Sequence, residues 1–264
     1  MRKVQLERLK SWFAGYVDGF YGNDDYIDAN LKLKEIHTEY VCREARFIAE
    51  KAGLGESDVL IAEAVGLMHD VGRFEQFQKY QTYADRKSVD HSELAVEIIE
   101  KENVLAELDA ADKEAIIVAV KLHSQIRLPE NLDENTLLHC QIIRDADKLD
   151  IYRVLLEKYK MHLADPEGFR LELEHPDDDY YSEEMIESLM NEKQIDYGQL
   201  RTLNDMKLLL LAMVYDINFR PTFAKIKEQG YLQEIIDMLP DDDRIAMIRE
   251  KVLSYIDDAI KNRP

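Results

Sequence analysis

Apolar residues recur at three- and four-residue spacing through most of the chain, which is the period of helices that bury one face. Val4, Leu6, Leu9, Trp12, Phe13 and Tyr16 predict a first helix over 4–20, ended by Gly22-Asn23-Asp24-Asp25. A second is expected from about Asn30 to Lys51, with Leu33, His37, Val41 and Ile48 on its stripe and Gly53 and Gly55 as stops. Ser57 suits the cap of a third, whose run Ile61, Ala62, Ala64, Val65, Leu67, Met68 leads into His69-Asp70 and is closed by Gly72. The mixed polar and aromatic stretch Phe74 to Val89 reads as a loop with at most short helical pieces, long enough to cover a pocket.

Ser88-Val89-Asp90 starts the next helix and puts His91 on its buried side with Leu94, Ala95, Ile98 and Ile99. Asp112 opens another, in which Ile116, Val120 and His123 share a face, and Pro129 ends the segment after it. From Leu137 to about Lys160, Ile143, Asp147, Ile151 and Val154 keep helical spacing, so a carboxylate lies in an apolar stripe. Pro166-Glu167-Gly168 and the stretch from Glu172 to Glu187, with Asp177-Asp178-Asp179, form an acidic, turn-rich insertion. Helices resume over 203–217, 223–229, 232–238 and 245–260. No sustained period-two alternation, repeat or low-complexity segment interrupts the pattern. The expected fold is all-α, one domain over 1–264, with a helical core at about 30–160 and additional C-terminal helices at about 165–264.

Charge narrows the function. With 54 acidic against 34 basic side chains the net charge is −20, which repels a nucleic-acid polymer or an anionic membrane surface. A phosphorylated substrate must therefore be met by local positive charge. The two cysteines, Cys42 and Cys140, form no C-x-x-C pair, so neither a disulfide framework nor a thiolate zinc site is suggested, and reduced thiols in the cytoplasm are expected. The strongest apolar run, Leu208 to Tyr215, is too short to cross a bilayer.

The candidate chemistry is a set of polar residues on otherwise buried helical faces: His37, His69, Asp70, His91, His123 and Asp147. Such side chains need polar partners that aliphatic neighbours cannot supply, and a cation can. The negative end of a helix dipole at His69-Asp70 favours a cation too. Imidazole and carboxylate without thiolate suit first-row divalent ions, and six such ligands suffice for two, with Asp70 able to bridge them. Arg73 and Lys148 are the cations nearest in sequence, available to hold a substrate phosphate, with Arg144 and Arg220 as further ones. Asp145 and Asp150 flank Asp147 off the stripe, as supporting or solvent-facing residues. The aromatics Phe74, Phe77, Tyr80 and Tyr83 either pack or stack on a nucleobase.

The series His37, Leu67-Met68-His69-Asp70-Val71-Gly72-Arg73, Asp90-His91-Ser92-Glu93, Lys121-Leu122-His123-Ser124 and Arg144-Asp145-Ala146-Asp147-Lys148 resembles the HD-domain metal-dependent phosphohydrolase superfamily over roughly residues 30–160. The resemblance implies an all-helical bundle and His37, His69, Asp70 and Asp147 as ligands of a first metal. It implies His91 and His123 as the extra histidines of the two-metal subset, which includes cyclic-dinucleotide phosphodiesterases and diadenosine tetraphosphate hydrolases. His123-Ser124 stands where those phosphodiesterases carry a histidine pair, and their Gly-Tyr-Pro signature is missing, which argues against a cyclic dinucleotide. The implied activity is hydrolysis of a phosphoester or phosphoanhydride of a nucleotide or other small phosphorylated metabolite. Its catalytic residues would be Asp70, Arg73 and Lys148, with one or two divalent ions drawn from iron and manganese, or zinc, nickel, cobalt and magnesium. The same ligands would serve a di-iron oxygenase of this fold, or a non-catalytic sensor or scaffold. The oligomeric state is not encoded in these patterns.

Overall fold

The run Val59 to Met68 is buried at every position, so helix α3 (Glu56–Met68) is enclosed on all sides and the neighbouring helices pack around it. The computed structural model describes residues 1–22, 24–165 and 179–263, and among these there are helices and turns but no strand. The chain divides into two compact units, Met1–Asp147 and Lys148–Pro264. The first holds α1 (Lys3–Asp18), α2 (Asp25–Lys51), α3, α4 (Gly72–Tyr80), a 3-10 turn at Asp85–Lys87, α5 (His91–Lys101), α6 (Ala110–Leu122) and the beginning of α7 (Glu134–Ala164). The second holds the remainder of α7 with α8 (Glu183–Met190), α9 (Leu203–Ala212), α10 (Arg220–Gln229), α11 (Tyr231–Asp237) and α12 (Asp243–Asn262). The division falls inside α7 rather than in a linker, because that helix runs through both units. Among the described residues no helix is long and apolar enough to cross a membrane, and Cys42 and Cys140 are buried free thiols.

Small residues let α2 and α3 approach closely. A Cβ on Gly66 would come within 3.1–3.3 Å of the backbone at Val41 and Cys42. Helix α2 begins at Asp25, earlier than its apolar stripe, because Asp24 accepts from the amides of Tyr26 and Ile27 and caps it. Gly55, not Ser57, precedes α3, and Asp109, not Asp112, caps α6 by accepting from Asp112 N. Val4 and Leu33 are half exposed, off the packed faces on which their spacing places them.

The expected loop after Gly72 is largely helix α4. Its aromatics at spacing three are buried, Phe74 against Phe13 and Phe20, and Phe77 against Tyr26 and Tyr83. Gln81 in the left-handed region (φ 52°) ends it. Gly72 starts this helix instead of closing α3. A Cβ there would lie 2.3 Å from His91 O and 2.8 Å from Ala95 N, so its absence lets α4 touch the first turn of α5. In the second unit α8 occupies the end of the acidic stretch, burying Met185, Ile186 and Leu189. Pro166-Glu167-Gly168, His175 and Asp177-Asp178 lie outside the described residues.

Two outcomes follow from this packing. Gly72→Ala is expected to destabilise the fold by about 1–3 kcal/mol in chemical denaturation, because backbone rather than a pliable side chain must yield; parental stability would contradict the contact. The second concerns His139 of α7, which is fully buried with neither ring nitrogen hydrogen-bonded, and which burial pushes down to about 4. Unfolded histidine titrates near 6.5, so the unfolded chain takes up this proton first as pH falls. Stability from neutral His139 is thus intact above about pH 6.5 and lost progressively toward pH 4. Replacing it by leucine should remove roughly 3 kcal/mol of that acid-side loss, read as a flatter dependence of the urea midpoint on pH. An unchanged profile would refute it.

Candidate metal centre

Six side chains from five helical segments of the first unit meet around one carboxylate. His37 comes from the buried face of α2 and Asp147 from α7. His69 and His123 are the residues immediately after α3 and α6, Asp70 lies in the turn before α4, and His91 is the first residue of α5 behind the cap of Asp90. The four imidazoles and Asp70 are at most 7% exposed. Helix ends make this possible, since the last-turn carbonyls lack amide partners. His69 Nδ1 meets Gly66 O at 2.8 Å and His123 Nδ1 meets Val120 O at 2.6 Å, each ring held by a carbonyl three residues upstream.

Asp70 divides the cluster into two lobes. Its Oδ2 faces His37 Nε2 (3.5 Å) and His69 Nε2 (3.7 Å), and His37 Nε2 is 3.2 Å from Asp147 Oδ1. Its Oδ1 faces His91 Nε2 (3.5 Å) and His123 Nε2 (3.9 Å). The ligand atoms of His37, His69 and Asp70, and separately those of Asp70, His91 and His123, lie within 4.8 Å of one another, close enough to hold an ion each. Burial opposes ionisation of Asp70, yet Lys34, His69, Arg73 and His91 hold it well below the usual carboxylate range. Burial likewise opposes ionisation of Asp147, and the His37 hydrogen bond with the His37, His69 and His123 rings outweighs it. Burial pushes His69 down, and pushes His123 down to about 3 with the His91 and His69 rings adding to the effect.

The donor chemistry fits metal ions. Carbonyl and carboxylate can only accept, so His123 donates Nδ1–H to Val120 and His91 donates Nδ1–H to Asp85 Oδ2 at 2.6 Å. The Nε2 atoms of the two rings then face each other, 3.1 Å apart. Two nitrogens at that separation are held together by a shared proton or by a metal ion. A proton is disfavoured on His123 at neutral pH, whereas a divalent ion takes imidazole nitrogen and carboxylate oxygen together.

Residues around the ligands fix their orientation. Asp85, held at about 2 against the opposing effect of burial by its bond from His91 and by Arg73, accepts from Arg73 Nη1 and Gln76 Nε2, both at 2.8 Å. Gln76, fully buried, also donates to Ser88 Oγ and Val89 O. Arg73 therefore ties segment 82–89 to α4, with Nε 3.4 Å from Asp70 Oδ1 and Nη1 on Gln76 Oε1 and Tyr83 O as well. Buried Arg144 donates to the carbonyls of His123, Gln125 and Ile126, closing the chain end of α6 behind the ligand. Lys148, the first residue of the second unit, pairs within that unit with Asp216 at 2.5 Å. Asp145 and Asp150 are buried rather than solvent-facing, Asp150 accepting from Arg153. Phe74 and Phe77 are core, and Tyr80 is exposed.

The sequence reading missed Lys34, whose Nζ is 2.8 Å from Asp70 Oδ2, along with Asp85 and Gln76. Lys34 sits three residues before His37, a spacing that could have flagged it. Asp85 lies in a non-helical turn, where no periodicity points to it.

A helical unit with imidazoles and carboxylates converging in two lobes defines a protein with a candidate two-ion centre. The family model of the HD domain matches residues 35–152, a span that contains all six of these residues, and this stretch belongs to the HD-domain superfamily. No curated protein and no solved structure shows significant similarity to the chain.

The Asp85 arrangement makes a selective prediction. Asp85→Ala leaves His91 Nδ1 without its carboxylate, so binding at the His91–His123 lobe should weaken about 10- to 100-fold while the other lobe is retained. Titration of metal-free protein should then show a single tight equivalent; two tight equivalents would disprove the orienting role.

Proposed function

We propose that this protein is a metal-dependent phosphohydrolase acting on a phosphoester or phosphoanhydride of a small phosphorylated metabolite, nucleotides included. His37, His69, Asp70 and Asp147 would hold one divalent ion and His91 and His123 a second, with Asp70 shared. The observation that carries this reading is the convergence of His37 and His69 on one oxygen of Asp70 and of His91 and His123 on the other, within a matched HD domain. Divalent ions, when bound, lower the pKa of a coordinated water and polarise phosphoryl oxygens.

The protein's own groups prepare that chemistry. Carbonyl and carboxylate partners hold the Nδ1 atoms of His69, His91 and His123, so the Nε2 atoms of these three rings face the shared carboxylate without rearrangement. Burial keeps bulk water from the imidazoles and strengthens the field of the cluster. Arg73 is a positioning residue in this reading, because its Nη1 binds Asp85, Gln76 and Tyr83 O and so ties segment 82–89 to α4. Lys148, engaged by Asp216, takes no part.

Elemental analysis of purified protein, joined to a phosphoester screen under strictly anaerobic conditions, tests the proposal. Bound transition metal and oxygen-independent phosphate release are expected. Turnover that requires oxygen would replace hydrolysis by oxygenation, and a protein without metal or turnover would be a sensor or scaffold. Asp70→Ala should lose metal and reduce turnover by about 100-fold or more while the helical circular dichroism persists.

A further inference from the structure

We propose that Lys34 is the anion-binding group at the mouth of the cluster, holding the substrate's phosphate; this rests on the phosphohydrolase reading. One turn before His37 on α2, it shares that residue's face, and its Nζ reaches Asp70 Oδ2 at 2.8 Å. The His37, His69, His91 and His123 side chains are at most 9% exposed, whereas those of Lys34 and Asp147 are 21% and 20% exposed. Lys34 thus spans from solvent to the shared carboxylate.

Exposure and partners separate it from the neighbouring cation, whose side chain is 14% exposed against 21% for Lys34. Arg73 Nη1 meets three acceptors and is committed to the scaffold. The Lys34 ammonium carries three N–H groups and among the described residues meets one acceptor, Asp70 Oδ2, leaving two for an incoming oxygen ligand. Its ammonium lies over the Tyr83 ring, 5.3 Å from Nζ to the centroid, and that ring is pinned back to α2 by its hydroxyl donating to Asn30 O at 2.9 Å. Charge balance points the same way. In the ion-free cluster Asp70 neutralises Lys34; once divalent charge is added beside Oδ2, the same carboxylate no longer does, and the ammonium is left to pair with an anion. A chain of net charge −20 needs such a local cation to receive a phosphate at all.

The test measures inorganic phosphate binding by calorimetry to the full-length, ion-loaded protein, with metal content determined on the same samples. Lys34→Gln should weaken phosphate binding roughly 10- to 100-fold with metal content unchanged. Lys34→Arg should retain most of it, and Lys32→Gln, which loses only an exposed pair with Glu35, should match the parent. Undiminished phosphate affinity in Lys34→Gln overturns the assignment and leaves the hydrolase reading standing. Loss of metal in Lys34→Gln also overturns it, by making Lys34 an organiser of Asp70. An ion-loaded parent that binds no phosphate brings down both readings.

Discussion

The first unit depends on one carboxylate shared between two pairs of imidazoles. Asp70 takes part in a set of near contacts in which each oxygen serves a different pair of rings, so a single acidic group serves both lobes. Burying such a group costs several kcal/mol unless charge surrounds it. Here the compensation comes from Lys34 and Arg73 at the carboxylate, with the imidazoles completing the enclosure. Cationic charge in the two lobes is the natural complement to what remains.

The hydrophobic architecture follows from that constraint. Helix α3 is enclosed because its last residue must deliver His69-Asp70 to the middle of the unit, not to its surface. Gly66 and Gly72, on either side of the pair, let α2 approach α3 and α4 approach α5, so that His37 and His91 come within reach of the same aspartate. Glycine at these positions is a matter of clearance, since neither lies in the left-handed region.

Much of this was legible in the sequence, for a physical reason. A histidine or aspartate in an apolar stripe is costly wherever the stripe is buried, so His37, His91, His123 and Asp147 stood out by period alone, and the order of the motifs resembled the HD pattern over a span close to the one matched. What escaped notice lacked a period. Helix α4 is short, and half its residues are polar; its aromatics at 74 and 77 form it by docking against α1 and α2, which local pattern does not reveal. Asp85 works from an irregular turn, and Gln76 is a polar side chain buried to bind that turn. Arg73 and Lys148 stand out by nearness in sequence, but proximity along a helix does not say which acceptor a long side chain will find: Arg73 reaches Asp85 as well as Asp70, and Lys148 pairs with Asp216. Asp145 and Asp150 illustrate the same limit in reverse: off the stripe, they are nonetheless buried.

His69 and His123 share a local device, a ring clasped by the carbonyl three residues earlier at a helix terminus. Ring and clasp therefore travel as one cassette whose aim depends on the phase of its own last turn. Insertion of a single residue inside either cassette would swing the imidazole by about 100° and point it into the packing instead of toward Asp70. Length variation in this unit must consequently be confined to the connections between cassettes, and the final turns of α3 and α6 are where the chain can least tolerate a change of count.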